Sequence, residues 1–322
     1  MKNRISLLLG CVVMALAAQA APIDAKQWSG TCWSDGAAFF VPQVKGNTIH
    51  FAGGTPHEGG YEFLVRADGK GNLTLASVNP EFDFVALHGT SKSGCKVTRE
   101  TVQGQEALIV RDAKGSVTDV LTRINTDISE VIREDLRTFL DGEYVDMKGD
   151  IYRFYGNGTV QLPEDAAPAP YTIEEIYEIP CNVITTASGK HLFWKATAEG
   201  LELFRAVMGS DEEWDCGTAV ATLLCHPRAD VPVGGRWPET STQLLTAGYF
   251  SSFSRDMLRL ARNEIYARHG ARFKSADLQS YFSSWPWYTP RVDASAVKLS
   301  VVEQINVSLI QSLENDPDGW MK

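Results

Sequence analysis

From residue 27 to residue 125, apolar and polar side chains alternate in short runs. Ile49 and Phe51 alternate with Thr48 and His50, and Tyr61, Phe63 and Val65 with Glu62 and Arg66; Leu73 with Leu75, then Phe82 with Phe84, keep the period of two. That period sends alternate side chains to opposite faces of a strand, so one face can be buried while the other meets solvent. Lys45-Gly46-Asn47, Gly53-Gly54, Asp68-Gly69-Lys70-Gly71 and Ala113-Lys114-Gly115 separate the runs with turn chemistry. Many short strands joined by tight turns predict a small antiparallel barrel or sandwich. Between 127 and 139 the period changes. Ile128, Val131, Ile132, Leu136 and Phe139 recur at helical spacing behind Asp127, a residue suited to cap a helix, and predict a connecting helix.

Residues 140–226 return to strand patterning. Gly142-Glu143-Tyr144, then Ile151-Tyr152-Arg153-Phe154 and Asn157-Gly158-Thr159-Val160, repeat the order of Gly30-Thr31-Cys32-Trp33 followed by Thr48-Ile49-His50-Phe51. A Gly–aromatic opening strand, an aromatic strand and a Gly turn resemble the start of lipocalin-like small barrels, which implies a second β module. A linker is expected at 227–239, with Pro232, Gly234 and Gly235. Beyond it Ser254 caps a helix with Met257, Leu258, Ala261 and Ile265 on its inner face, closed by Gly270. Ser275 opens a second helix with Leu278, Tyr281 and Phe282, and Ser300 with Glu303 forms a capping box for a third with Val302, Ile305, Leu309 and Leu313 inward. The expected fold class is α+β: β modules at 21–126 and 140–226, a connecting helix at 127–139, and an independently folding helical domain at 240–322.

Lys2, Arg4, the apolar run Ile5–Ala17 and Ala18-Gln19-Ala20 read as a signal peptide over 1–20, cleaved near Ala20, so the mature chain is expected in the periplasm or medium. The apolar run is too short to span a bilayer, and no later segment is suited to do so. Net charge is −10, and losing Lys2 and Arg4 deepens it by two, which argues against nucleic acid as a partner. Cys11 leaves with the leader. In an oxidising compartment Cys32–Cys95 is the expected disulfide of the first module, and Cys181–Cys216 the favoured one of the second, with Cys225 free. No spacing suited to a metal site is present and no cofactor motif is found.

Tyr266-Ala267-Arg268-His269-Gly270 is preceded by Leu258–Ile265 and followed by Phe273, Leu278, Tyr281-Phe282 and Trp287-Tyr288-Thr289-Pro290. This order, over roughly 240–315, resembles the YARHG domain family. The resemblance implies an extracellular, envelope-associated domain not known as a catalyst. Arg255, Arg259, Arg262 and Tyr266 fall on one helical stripe, and 254–274 carries six Lys/Arg against two acids, whereas 140–226 carries fifteen acids against five bases. The stripe is a candidate patch for an anionic cell-wall polymer, set against a solvated helix face or docking onto the acidic module. Trp285, Trp287 and Tyr288 are a candidate stacking platform, set against completion of a small core. Arg268 falls beside Ala261 and Ile265, where a structural ion pair with Glu264 is expected, and His269 and Gly270 finish the helix. No catalytic residue is assigned: G-x-S-x-G and H-E-x-x-H are missing, and Ser93–Lys96 and Ser295–Lys298 lack the S-D-N and K-T-G motifs that accompany Ser-x-x-Lys enzymes. The expected function is a non-enzymatic envelope protein that contacts cell wall or an envelope protein; the alternatives are a cell-wall hydrolase or esterase with its site on a β module, or a periplasmic enzyme inhibitor or regulator.

Overall fold

Each alternating region closes on itself. The computed structural model describes residues 23–55, 59–78, 87, 91–125, 127–176, 179–197, 199–210, 213–226 and 234–316. The expected leader at 1–20, the Phe82–Phe84 run and residues 227–233 of the expected linker lie outside the described residues. In the first module β1 (Cys32–Ser34), β2 (Phe39–Lys45), β3 (Thr48–Gly54), β4 (Gly59–Ala67), β5 (Leu73–Val78), β6 (Lys96–Val102), β7 (Gln105–Arg111) and β8 (Val117–Ile124) form an antiparallel meander. β8 returns to pair with β1, which leaves no open edge. Trp33, Phe40, Ile49, Phe51, Phe63 and Val65 fill the interior, and Phe51 stacks on Phe63 with ring centroids 4.4 Å apart.

The second barrel is β9 (Gly142–Asp146), β10 (Ile151–Tyr155), β11 (Thr159–Gln161), β12 (Ala169–Ile176), β13 (Ile179–Thr186), β14 (His191–Ala196), β15 (Gly200–Met208) and β16 (Trp214–His226), closed by β16 on β9. Both barrels therefore share one topology, but the sequence repeat slips by a strand. Ile151–Phe154 is the second strand of its barrel, whereas Thr48–Phe51 lies on the third of the other. β2 is what the alternation hid: Val41 is exposed and Pro42 interrupts the pattern. Pro42 pairs with Phe51 of β3 but lies beyond the stretch that pairs with the short β1, so its missing N–H removes no bond on that side.

Helix α1 (Ile128–Leu140) joins the barrels, and Asp127 caps it by accepting from the Glu130 amide at 2.9 Å. Its Phe139 stacks on Trp194 of the second barrel, centroids 5.2 Å apart. The C-terminal region carries α2 (Glu239–Thr242), α3 (Arg255–Arg268), α4 (Ala276–Ser283) and α5 (Val301–Glu314), with a short parallel pair β17 (Ala271–Arg272) and β18 (Val292–Asp293). Ser254 caps α3 and the capping box of Ser300 and Glu303 opens α5.

These helices do not form a separate core. One continuous apolar cluster runs from the second barrel through α1 into the C-terminal helices and on to the outer face of the first barrel at Val117 and Val120. Ser308 accepts from the Val117 amide at 2.7 Å and Ser312 donates to its carbonyl at 2.6 Å, which fixes α5 along β8. Gly36, at φ +89°, lies against Gly248; a Cβ on Gly248 would come within 2.3 Å of Gly36 backbone, so the two segments meet where only glycine fits.

The expected disulfides are absent: Cys32, Cys95, Cys181, Cys216 and Cys225 are all free thiols. Trp33 points into the first barrel and Cys32, its neighbour on β1, points out, while Cys95 is packed in the interior cluster. Cys95 directly precedes β6, which β7 and β8 separate from β1 in the closed barrel. Cys181 on β13 and Cys216 on β16 are separated by β14 and β15.

Candidate functional site

The YARHG motif is the end of α3, and its polar groups point into the protein. Arg268 donates Nε to the Gly234 carbonyl at 2.7 Å, Nη1 to the hydroxyls of Thr240 at 3.0 Å and Ser241 at 2.8 Å, and Nη2 to the Trp237 carbonyl at 2.6 Å. Nη2 also pairs with Glu264 one turn earlier, a carboxylate with no exposed surface. Glu264 accepts from the Arg236 and Trp237 amides at 2.9 and 2.8 Å. A desolvated carboxylate is tolerated only when paired and hydrogen-bonded, and here every side of it is occupied. His269 lies 2.9 Å from Glu303, which also accepts from the Ser300 amide at 2.8 Å. Burial raises the Glu303 carboxyl, but the Ser300 amide and His269 outweigh it and hold the group below the usual range. Gly270 turns the chain at φ +76°, and its carbonyl accepts from the Arg291 and Val292 amides at 2.7 and 3.0 Å. Tyr266 is half-buried.

The stripe arginines reach acids from later helices. Arg259 bonds Asp277 at 2.7 Å and Ser275 at 3.2 Å; Arg262 grips both oxygens of Glu314 at 2.5 and 3.0 Å; Arg255 reaches the Asp316 carbonyl at 3.3 Å. The Arg259 and Ser275 hydrogen bonds hold the Asp277 carboxyl far below the usual carboxylate range. Trp285 and Tyr288 are buried and Trp287 half-buried in a cluster with Phe273, Tyr281 and Phe282. The Tyr288 hydroxyl donates to the Ala271 carbonyl at 2.6 Å. Trp287 faces Gly234, where a Cβ would lie 2.7 Å from the indole.

Sequence reasoning missed Arg236, Trp237 and Glu239 by assigning them to a linker. All three are buried. Arg236 donates to the Thr197 and Gly200 carbonyls, the latter at 2.6 Å, and so bolts the helical region to the β14–β15 turn. A Trp within a Pro/Gly-rich stretch was the available signal, because indole area that large is seldom left in solvent.

A second locus was also missed. Two cavities, about 330 and 290 Å³, lie at the seam between the first barrel, α1 and the Gln243–Ser252 segment. Both are lined by Asp135 and Tyr249. Desolvation by burial, with the neighbouring Glu134 charge, pushes the Asp135 carboxyl up to about 7. Tyr249 donates its hydroxyl to buried Glu239, whose carboxyl burial also raises to about 7. Asp135 stands four residues from both Val131 and Phe139, inside the apolar stripe of α1; a carboxylate at that position was the signal in the sequence. A third cavity of about 250 Å³ is lined by Glu199, Cys225, Tyr281 and Trp285, where the second barrel meets α4. Among the described residues no His, Cys, Asp and Glu side chains gather as a metal site, and no helix is long and apolar enough to cross a membrane.

The fold and the motif together define a protein of two eight-stranded antiparallel barrels completed by a small helical domain. Residues 234–315 match the family model of the YARHG domain, so this quarter of the chain is a YARHG domain that begins at the Gly234–Trp237 strap. No family matches the barrels, and no curated protein or solved structure matches the chain.

Proposed function

We propose that this is a non-enzymatic, exported envelope protein in which the YARHG domain locks two barrels into one body and contacts an anionic cell-wall polymer. The observation that carries this reading is the saturation of Arg268 by five acceptors, which commits the motif's strongest charge to architecture. The polymer contact then falls to cations whose side chains bond no described residue. Arg272 and Arg291 are exposed beside the paired strands β17 and β18, and Lys274 follows two residues on. Their charge opposes that of an acidic polymer and weakens with salt over a Debye length of about 8 Å at physiological ionic strength.

Co-sedimentation of the full-length mature chain with purified cell wall tests this. Binding is expected at low salt, declining as salt rises, and lost in the Arg272→Glu/Lys274→Glu/Arg291→Glu variant while its melting temperature holds. A chain that stays in the supernatant at low salt, or a variant that sediments like the parent, would sink the reading.

A further inference from the structure

Asp135 lines both cavities at the α1 seam and has neither an ion-pair nor a hydrogen-bond partner among the described residues; Glu134, likewise unpaired, is exposed and lines only the larger cavity. The groups around it explain why. Glu134, beside it on α1, has the same sign. Arg123 of β8 lines the same cavity but is held by Glu106 at 2.8 Å. Tyr249, from the C-terminal domain, gives its hydroxyl to Glu239 instead. Arg133, two residues away, pairs with Glu130 and Glu175. A desolvated, unpaired carboxylate is costly unless something cationic meets it.

The two cavities on either side of this carboxylate differ in kind. The larger is lined by polar side chains, among them Gln105, Thr122, Asn125 and Thr138. The smaller presents Ile132, Leu136, Phe139 and Pro180. Each approaches the size of an ordinary small-molecule site. A ligand that satisfies both chambers has a positive head and an apolar body. The geometry points to a binding site for a small organic ammonium, its charged group against Asp135 and its alkyl arm along Ile132, Leu136 and Phe139. A carboxylate-bearing ligand is disfavoured by Asp135 and Glu134 together. This site stands apart from the basic edge at Arg272 and from any polymer bound there.

Titration calorimetry on the full-length mature chain, with n-propyl-, n-butyl- and n-pentylammonium as probes and pentanoate and n-pentanol as controls, tests the proposal. At pH 8 saturable binding of the ammonium series is expected. Affinity should rise by about fourfold per methylene, the transfer value for a buried CH₂. Asp135→Asn should weaken pentylammonium at least about tenfold, and wild-type affinity should fall at pH 5.5, where the carboxyl holds its proton. Thermal melts at pH 8 verify that Asp135→Asn is folded; Asp135→Glu, which keeps the charge, should retain measurable binding. Equal affinity in wild type and Asp135→Asn, equal binding of pentanoate, or no saturable heat with any ammonium would overturn the site.

Discussion

Arg268 and Arg259 lie on the same helix and do unequal work. Arg268 and Glu264 are almost wholly buried and share a network that includes the backbone of 234–237. Removing one partner of a buried pair leaves the other charge stranded, at a typical cost of about 3–5 kcal/mol. Arg259 and Asp277 are solvated, and exposed pairs contribute about 0–1 kcal/mol. In chemical denaturation of the full chain, Arg268→Ala should therefore lower stability several-fold more than Arg259→Ala; similar losses would contradict the architectural role. Gly270 adds a backbone constraint, because at φ +76° a Cβ would lie 2.9 Å from the Thr289 carbonyl oxygen. Asp135 carries a pH signature. Its carboxyl titrates near 7 folded against about 4 unfolded, so the native state binds the proton more tightly. Its contribution to stability is greatest below about pH 4 and is lost as pH rises through 7. Asp135→Asn should thus melt higher than wild type at pH 8 and show a shallower decline between pH 5 and pH 8. A variant whose pH profile parallels wild type would show that Asp135 is not the titrating group.

At the scale of elements, the junctions are side chains reaching backbone. Arg236 satisfies two carbonyls of the β14–β15 turn and lies 4.9 Å from the Trp237 ring. The Gly200 carbonyl keeps the Thr197 amide at 2.9 Å, but truncation leaves the Thr197 carbonyl unpaired at about 1–3 kcal/mol, so Arg236→Ala should speed hydrogen exchange in β14, β15 and α3 together. Exchange confined to the mutated segment would argue that the junction is loose. The barrel walls also govern the thiols. Cys216 is exposed, whereas Cys95 is buried, and burial pushes the Cys225 thiol up to about 11. Alkylation of the native protein should modify Cys216 first and Cys95 and Cys225 last, without prior reduction. Protection of Cys216 until a reductant is added would indicate a bond that the fold does not contain.

For the whole molecule, the shared core makes the YARHG domain a component rather than a passenger. Its inner face is continuous with α1 through Phe253, which packs edge-on to Phe139 at 5.4 Å, and with the first barrel through α5. The capping, periodicity and glycine stop of residues 240–322 suggested a self-sufficient domain, yet the Gly234–Glu239 strap and the barrel surfaces complete its burial. Residues 234–322 expressed alone should show helical circular dichroism with a broad, weakly cooperative melt, while the full chain loses helix and second-barrel signals together. A sharp, independent transition in the fragment would refute the shared core.

The local code was legible in the chain. Alternation at Ile49–Phe51 and Tyr61–Val65, the caps at Asp127, Ser254 and Ser300, and the stop at Gly270 each depend on neighbours a few residues away, and each stands where the pattern put it. The C-terminal domain was legible for the same reason: its motif is contiguous. What remained hidden depends on closure. Whether Cys32 meets Cys95 is decided by the strand order of the closed barrel, and whether Arg259 and Arg262 are free by acids delivered from α4 and α5. Asp135 reads as one more polar residue until two barrels and a helical domain close around it and leave it partly buried. Such contacts span tens to hundreds of residues, and the forces that make them, burial and Coulomb attraction, act through space without regard to sequence distance.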